Sequence, residues 1–218
     1  MSGKLSERIS MKNPWLDIPL GDYESHMALR HVGQAQLLSR VLRETIESYQ
    51  PLSIALLGCA GGNGLEQIPS TSVERVVGID INQQYLDRVA ARYAEQLPGL
   101  ELFAGDLGVD RFGFEPVELV FAGLIFEYVD ARKLLEQALS MLVRGGRLVS
   151  VVQLPSSIED VTPSPYTSLE RLSSVLHVVS TKQLTALATT IGFDLETEQS
   201  VTASGGKDFQ VSVFRARQ

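Results

Sequence analysis

The sequence is poor in cysteine, in aromatic residues and in basic charge. Its one cysteine, Cys59, excludes an intramolecular disulfide and fits a reducing, cytoplasmic compartment. Lys and Arg total 19 against 26 Asp and Glu, a formal net charge of −7. That balance argues against an extensive nucleic-acid or anionic-membrane surface, which needs clustered positive charge. No apolar run approaches the roughly 18 residues of a membrane span. The opening MSGKLSERISMKNP carries no apolar stretch of the signal-peptide kind. His26, His31 and His177 show no metal-ligand spacing, so no metal is expected. No G-x-x-x-x-G-K-[ST] occurs, which excludes a P-loop. What is present, 218 residues of which 44% are apolar, suits one domain with its own core.

Short apolar runs alternate with helical stripes. Residues 1–13 are polar, and 14–33 read as an irregular arm around Trp15, Tyr23, His26 and His31. Leu37, Leu38, Val41, Leu42, Thr45, Ile46 and Tyr49 recur at helical spacing. Strand-like runs follow at 52–57, 73–79, 100–104, 117–122 and 147–153. Between them lie a helix stripe from Tyr85 to Leu97 and another from Leu134 to Val143, the second closed by Gly145-Gly146. Residues 154–178, with Pro155, Pro163 and Pro165, interrupt the pattern and read as a lid-like insertion. A stripe at Leu184–Ile191, capped by Ser180-x-x-Gln183, leads to two further strands joined by Ser204–Asp208, a loop short enough for a hairpin. This alternation predicts a doubly wound, mostly parallel α/β sheet that ends in a reversed strand.

The chemistry-bearing residues fall at the ends of these runs. IALLGCAGGNGLEQI, residues 54–68, takes a buried strand into a turn with four glycines and then an expected helix start. Such a turn lets a ligand approach the main chain, and the helix amides suit a carboxylate or phosphate. Asp80 ends the second run, 22 residues after Gly58. A carboxylate there is placed for ribose hydroxyls, or else serves as a helix N-cap. Asp106, after the third run, is placed to accept from an adenine amino group, or makes a turn beside Gly105 and Gly108. Glu127, after the fourth run, either takes a proton from a nucleophile or holds an amine. Its plain alternative is a solvated residue in a helix's first turn.

In this order the pieces resemble class I S-adenosylmethionine-dependent methyltransferases over residues 34–217. The loop Gly58-Cys59-Ala60-Gly61-Gly62-Asn63-Gly64 resembles their first motif. Asp80, the pair Asp106-Leu107, the run 117–130 and the run 142–152 match the later elements. The resemblance implies a Rossmann-like, seven-stranded sheet with helices on both faces and an antiparallel C-terminal strand. It implies S-adenosylmethionine as cofactor, released as S-adenosylhomocysteine. The implied cofactor contacts are Gly58, Cys59, Ala60, Gly62, Asn63, Asp80, Ile81, Asp106, Leu107 and Ala122. Catalytic candidates are Glu127, Tyr23 and His26, with residues 1–33 as an arm over a domain at 34–218 and a small molecule as methyl acceptor. Two positions depart from the family: Leu56 stands where an acid is usual, and Ala60 replaces the middle glycine.

Two rival readings remain at this level. A nicotinamide-dependent oxidoreductase shares the βαβ logic, but the sequence holds no Tyr-x-x-x-Lys pair. A non-catalytic protein of the same fold, binding cofactor without turnover, is suggested by Leu56.

Overall fold

The computed structural model describes residues 13–69 and 72–217. Apart from Asn13, the polar segment expected at 1–13 lies outside them. Among the described residues seven strands form one sheet: β1 (Ser53–Leu57), β2 (Arg75–Asp80), β3 (Leu100–Ala104), β4 (Val117–Gly123), β5 (Leu142–Gln153), β6 (Phe193–Thr202) and β7 (Asp208–Ala216). Their order is β3-β2-β1-β4-β5-β7-β6. β1 pairs in parallel with both β2 and β4, and β7 runs antiparallel to its neighbours β5 and β6. The chain order reverses between β1 and β4. In open parallel sheets ligands bind at such a switch point, beyond the carboxyl ends of the strands.

Alternation along the strands builds two cores. Ile54 and Leu56 of β1 pack on one face with Leu38, Leu42 and Ile46 of α2 (Gln34–Tyr49) and Leu86 and Val89 of α3 (Gln83–Tyr93). Ala55 and Leu57 face the other way, toward Leu134 and Ala138 of α4 (Ala131–Ser140) and Leu184 and Ala188 of α5 (Thr181–Ile191). Strands buried on both faces explain the near-continuous apolar runs in the sequence. No helix among the described residues is long and apolar enough to cross a membrane.

Three local expectations need correction. The glycine loop does not open an α-helix; a single 3-10 turn at Leu65–Gln67 follows it. Pro69 forces Ile68 into an extended conformation (ψ 111°) and stops the turn. Residues 14–33 are not irregular throughout: Leu20–Ala28 form the helix α1, which starts directly after Pro19. The stripe from Leu134 to Val143 is not one helix either. α4 ends at Ser140, and Leu142 and Val143 belong to β5, where Leu142 pairs with Val117. Gly145 turns the strand there with φ +75°.

The β6–β7 turn packs against the α1–α2 turn through glycines. A Cβ on Gly205 would stand 2.1 Å from the His31 carbonyl oxygen, and one on Gly33 2.2 Å from Ser204 Oγ. Ser204 Oγ also donates to the Arg30 carbonyl at 2.8 Å. Gly205→Ala forces one of two backbones to move, so it should lower stability by about 1–3 kcal/mol. Urea unfolding measures this, and parent-like stability would show that the contact yields freely.

Candidate active site

A cleft of about 290 Å³ opens over the carboxyl ends of β1, β2 and β4. Gly58, Ala60, Asp80, Ile81, Asp106 and Leu107 line it, together with Trp15, Tyr23, Tyr85, Tyr128 and the chain from Gly123 to Ile125. Four other expected positions lie elsewhere. Cys59 is buried beneath the loop, where its Sγ would lie 3.2 Å from a Cβ on Gly78. Gly62 packs on Leu65 and Tyr93. Asn63 turns away and donates to the Ala35 carbonyl at 3.1 Å. Ala122 is fully buried in β4, and its successor Gly123 reaches the cleft instead. Burial, and after it the Asp80 charge, push the Cys59 thiol well up, so it is not a ready nucleophile.

Asp80 organises the cleft floor. One carboxylate oxygen accepts from the Ala60 amide at 2.8 Å and the other from the Asn82 amide at 2.9 Å. The N-cap of α3 is Asn82, not Asp80: its side chain accepts from the Gln84 amide. Burial pushes Asp80 up to about 6, and the N–H groups around it oppose the rise. Asp106 makes the turn that its glycine neighbours suggest, with Oδ1 accepting from the Gly108 amide at 2.7 Å. It is only half-buried and also faces the cleft.

Strain gathers at this site. Among the described residues three non-glycines adopt positive φ: Gln50, Ala60 (φ +45°) and Leu124 (φ +56°). Gln50 caps a helix, while the other two line the cleft. Ala60 therefore keeps the left-handed turn that glycine makes easily, at a cost of about 1–2 kcal/mol. Leu56, at the position of the usual acid, is packed in the core with Leu38 and Phe121. It offers nothing polar.

A smaller chamber of about 50 Å³ adjoins the cleft, and Trp15, Tyr23, Leu124 and Tyr128 line both. The structure brings Glu127, Tyr23 and His26 together around this chamber. Tyr23 and His26 stand three residues apart on α1 and so share a face. Glu127 is not in a helix's first turn, nor is it solvated. It lies in the turn before α4 and is 2% exposed. Its Oε1 accepts from the Gln153 amide at 2.7 Å, while Oε2 is buried without a hydrogen-bond partner among the described residues. Burial pushes its carboxyl up to about 7. His26 Nδ1 meets Ser164 Oγ at 2.9 Å. Burial first, then Lys207 and His31, lower its basicity.

Aromatic rings part the two spaces. Trp15 packs edge-on against Tyr23 (centroids 5.5 Å) and Tyr128 (5.1 Å). Trp15 also belongs to a small core with Ile18, Leu169 and Leu172, in which residues before α1 meet the 154–178 segment. Ser168 Oγ donates to Asp22 at 2.6 Å and adds to that contact. Tyr85 donates to the Ile18 carbonyl at 2.8 Å, and Asn82 Nδ2 to the Trp15 carbonyl at 3.0 Å. The roles of Tyr128 and Tyr85 were not evident in the sequence. Tyr85 reads there as one more residue of a buried helix stripe.

The Glu127 carboxyl titrates higher in the folded protein than the ordinary value of 4.5. The unfolded chain therefore releases this proton first, and stability falls as pH rises from about 4.5 to about 7, then stays low. Glu127→Gln removes the charge, so its stability gain over the parent should be larger at pH 8 than at pH 4. Urea unfolding at the two pH values tests this; an equal difference at both would contradict a buried, destabilised carboxylate.

Residues 54–146 match the family described as a methyltransferase domain. Among curated proteins, none matches the chain in sequence. Among solved structures, the N-methyltransferase NodS from Bradyrhizobium japonicum WM9, in complex with S-adenosyl-L-homocysteine, aligns with a TM-score of 0.66 at 17% identity, covering 91% of this chain and 98% of that one. The magnesium protoporphyrin IX methyltransferase ChlM from Synechocystis PCC 6803, with bound S-adenosylhomocysteine, aligns at 0.68 and 12% identity, covering 90% and 93%. The [4+2]-cyclase SpnF aligns at 0.63 and 12%, covering 84% and 81%. At such identities the likeness is one of fold, and SpnF shows that this fold also carries other chemistry. Residues 54–146 thus match a methyltransferase domain, and the chain as a whole has the fold of class I methyltransferases.

Proposed function

We propose that the chain is an S-adenosylmethionine-dependent methyltransferase acting on a small molecule. The observation that carries this reading is Asp80. It lies at the carboxyl end of β2, lines the switch-point cleft and is tied to the glycine loop through Ala60. The residues around it fit the cofactor by chemistry. Asp80 suits a ribose diol. Ile81 and Leu107 offer apolar walls to a flat base, and Asp106 an acceptor for its amino group. The rings of Trp15, Tyr23 and Tyr128 suit a sulfonium.

When bound, the cofactor supplies an electrophilic methyl group. The protein's work is then alignment and exclusion of water. Trp15, Tyr23, Leu124 and Tyr128 line both spaces, so the junction between them is where cofactor and acceptor meet. Residues 13–33 and 154–178 serve as the arm and lid over that junction. In this reading Glu127 takes the acceptor's proton, and Tyr23 and His26 orient the acceptor from α1. The single cysteine supports a reducing, cytoplasmic setting.

Calorimetry with S-adenosylhomocysteine tests the reading. The parent should bind it and should not bind NADH. Asp80→Asn, which keeps one acceptor oxygen, and Asp80→Ala should weaken binding progressively. The alanine variant should lose about tenfold or more, the loss expected when a hydrogen bond to a charged group is removed. Absence of binding by both S-adenosylhomocysteine and S-adenosylmethionine would sink the assignment.

A further inference from the structure

The chamber beside the cleft has a built-in chemical preference. Glu127 is 2% exposed, yet its Oε2 has no partner among the described residues. A buried acceptor left unpaired is destabilising, and a donor on a bound molecule relieves that cost. The other titratable groups lining the chamber are Asp160, His26, Tyr23 and Tyr128. Asp160 adds a second carboxylate. His26 is shifted toward its neutral form. The nearby cation, Lys207, does not line the space: its Nζ is held by the Asp160 carbonyl at 2.6 Å and by Gln153 Oε1 at 3.2 Å. The remaining polar contacts come from the neutral groups of Gln34, Gln153 and Thr162.

We propose that this chamber takes a small primary or secondary amine, that Glu127 Oε2 binds its nitrogen, and that this amine is the methyl acceptor. The proposal deepens the methyltransferase reading and rests on it. Two carboxylates and three aromatic rings favour an ammonium group. A neutral hydroxyl can donate to Oε2 but lacks the charge attraction, and a carboxylate is repelled. The volume of about 50 Å³ admits an amine head but not a large ring system. Glu127 also completes the proton balance. The ammonium passes one proton to the carboxylate, which frees the nitrogen lone pair. One N–C bond then forms as one S–C bond breaks, and the bonding pair goes to sulfur. The product leaves as the methylated ammonium, and Glu127 returns its proton to solvent.

The test uses the full chain saturated with S-adenosylhomocysteine and saturation-transfer NMR. The probes are ethylamine, ethanolamine and benzylamine against acetate, benzoate and phenol. At least one amine should bind, and mass spectrometry with S-adenosylmethionine should show it gaining one methyl group. Glu127→Gln should weaken amine binding at least about tenfold, the loss of a charge-assisted hydrogen bond. Its affinity for S-adenosylhomocysteine and its circular dichroism should stay at parent values. Glu127→Ala should behave the same way, so that one poorly folded variant does not decide the outcome. If S-adenosylhomocysteine binds but no amine does, or if amine affinity survives both substitutions, the amine proposal falls and the methyltransferase reading stands. Binding of acetate, benzoate or phenol in place of the amines likewise overturns it. If S-adenosylhomocysteine itself does not bind, both fall together.

Discussion

The carboxylate of Asp80 joins parts of the site that the chain keeps far apart in sequence. One oxygen fixes the amide of Ala60 and thereby the turn after β1; the other fixes the amide of Asn82 and thereby the start of α3. Asn82 then holds the Trp15 carbonyl, and Trp15 packs against Tyr23 and Tyr128. The floor of the cleft, its roof and the wall of the neighbouring chamber thus hang from one buried anion. Burying that anion is unfavourable, which is why its carboxyl is pushed up to about 6. Among the described residues amide donors, and no countercharge, hold it there. A lysine or arginine would hold it more firmly, but would leave less of the carboxylate free for a ligand's hydroxyls.

Glu127 is the second buried carboxylate among the described residues, and within them it is satisfied on one oxygen only. A protein selected for stability alone would place an apolar residue or an amide there. Together with Ala60 and Leu124 in left-handed conformations, it marks the stretch where local preferences give way. Ala60 lines the cleft, Glu127 the chamber and Leu124 both, beside a sheet whose strands otherwise obey simple alternation. This concentration of conflict is what a site, as opposed to a scaffold, is expected to show.

The scaffold was legible because it rests on local signals. Apolar runs alternating with helical stripes dictate a parallel sheet covered on both faces, and the short loop at 204–208 dictates a final hairpin. The acids at strand ends were legible for the same reason, since Asp80, Asp106 and Glu127 each close or follow an apolar run that reads as a strand. Misreadings arose where tertiary contacts decide. Leu142 and Val143 continue a helical period, yet pairing of Leu142 with Val117 draws them into β5. The glycine loop looks like a helix start, yet Pro69 leaves room for one turn only. Asn63 and Gly62 sit in the motif and still point away, because α2 and α3 compete for them through the Ala35 carbonyl and Tyr93. Trp15 and Tyr128 are 113 residues apart, and no periodicity could have paired them.

The two segments that looked least ordered in sequence complete the site. Proline and serine in 154–178 suggested a loose insertion, and polar aromatics before α2 suggested a loose arm. Each lacks a core of its own, but they share one: Ile18 with Leu169 and Leu172, bordered by Trp15, Tyr23 and Tyr128. Polar ties add to it, from Asp22 to Ser168 and from His26 to Ser164. The same aromatic residues wall the cleft and the chamber. The cover and the partition are therefore one structure. A change that loosens Trp15 must alter the cofactor space and the acceptor space at once, because no separate wall stands between the two.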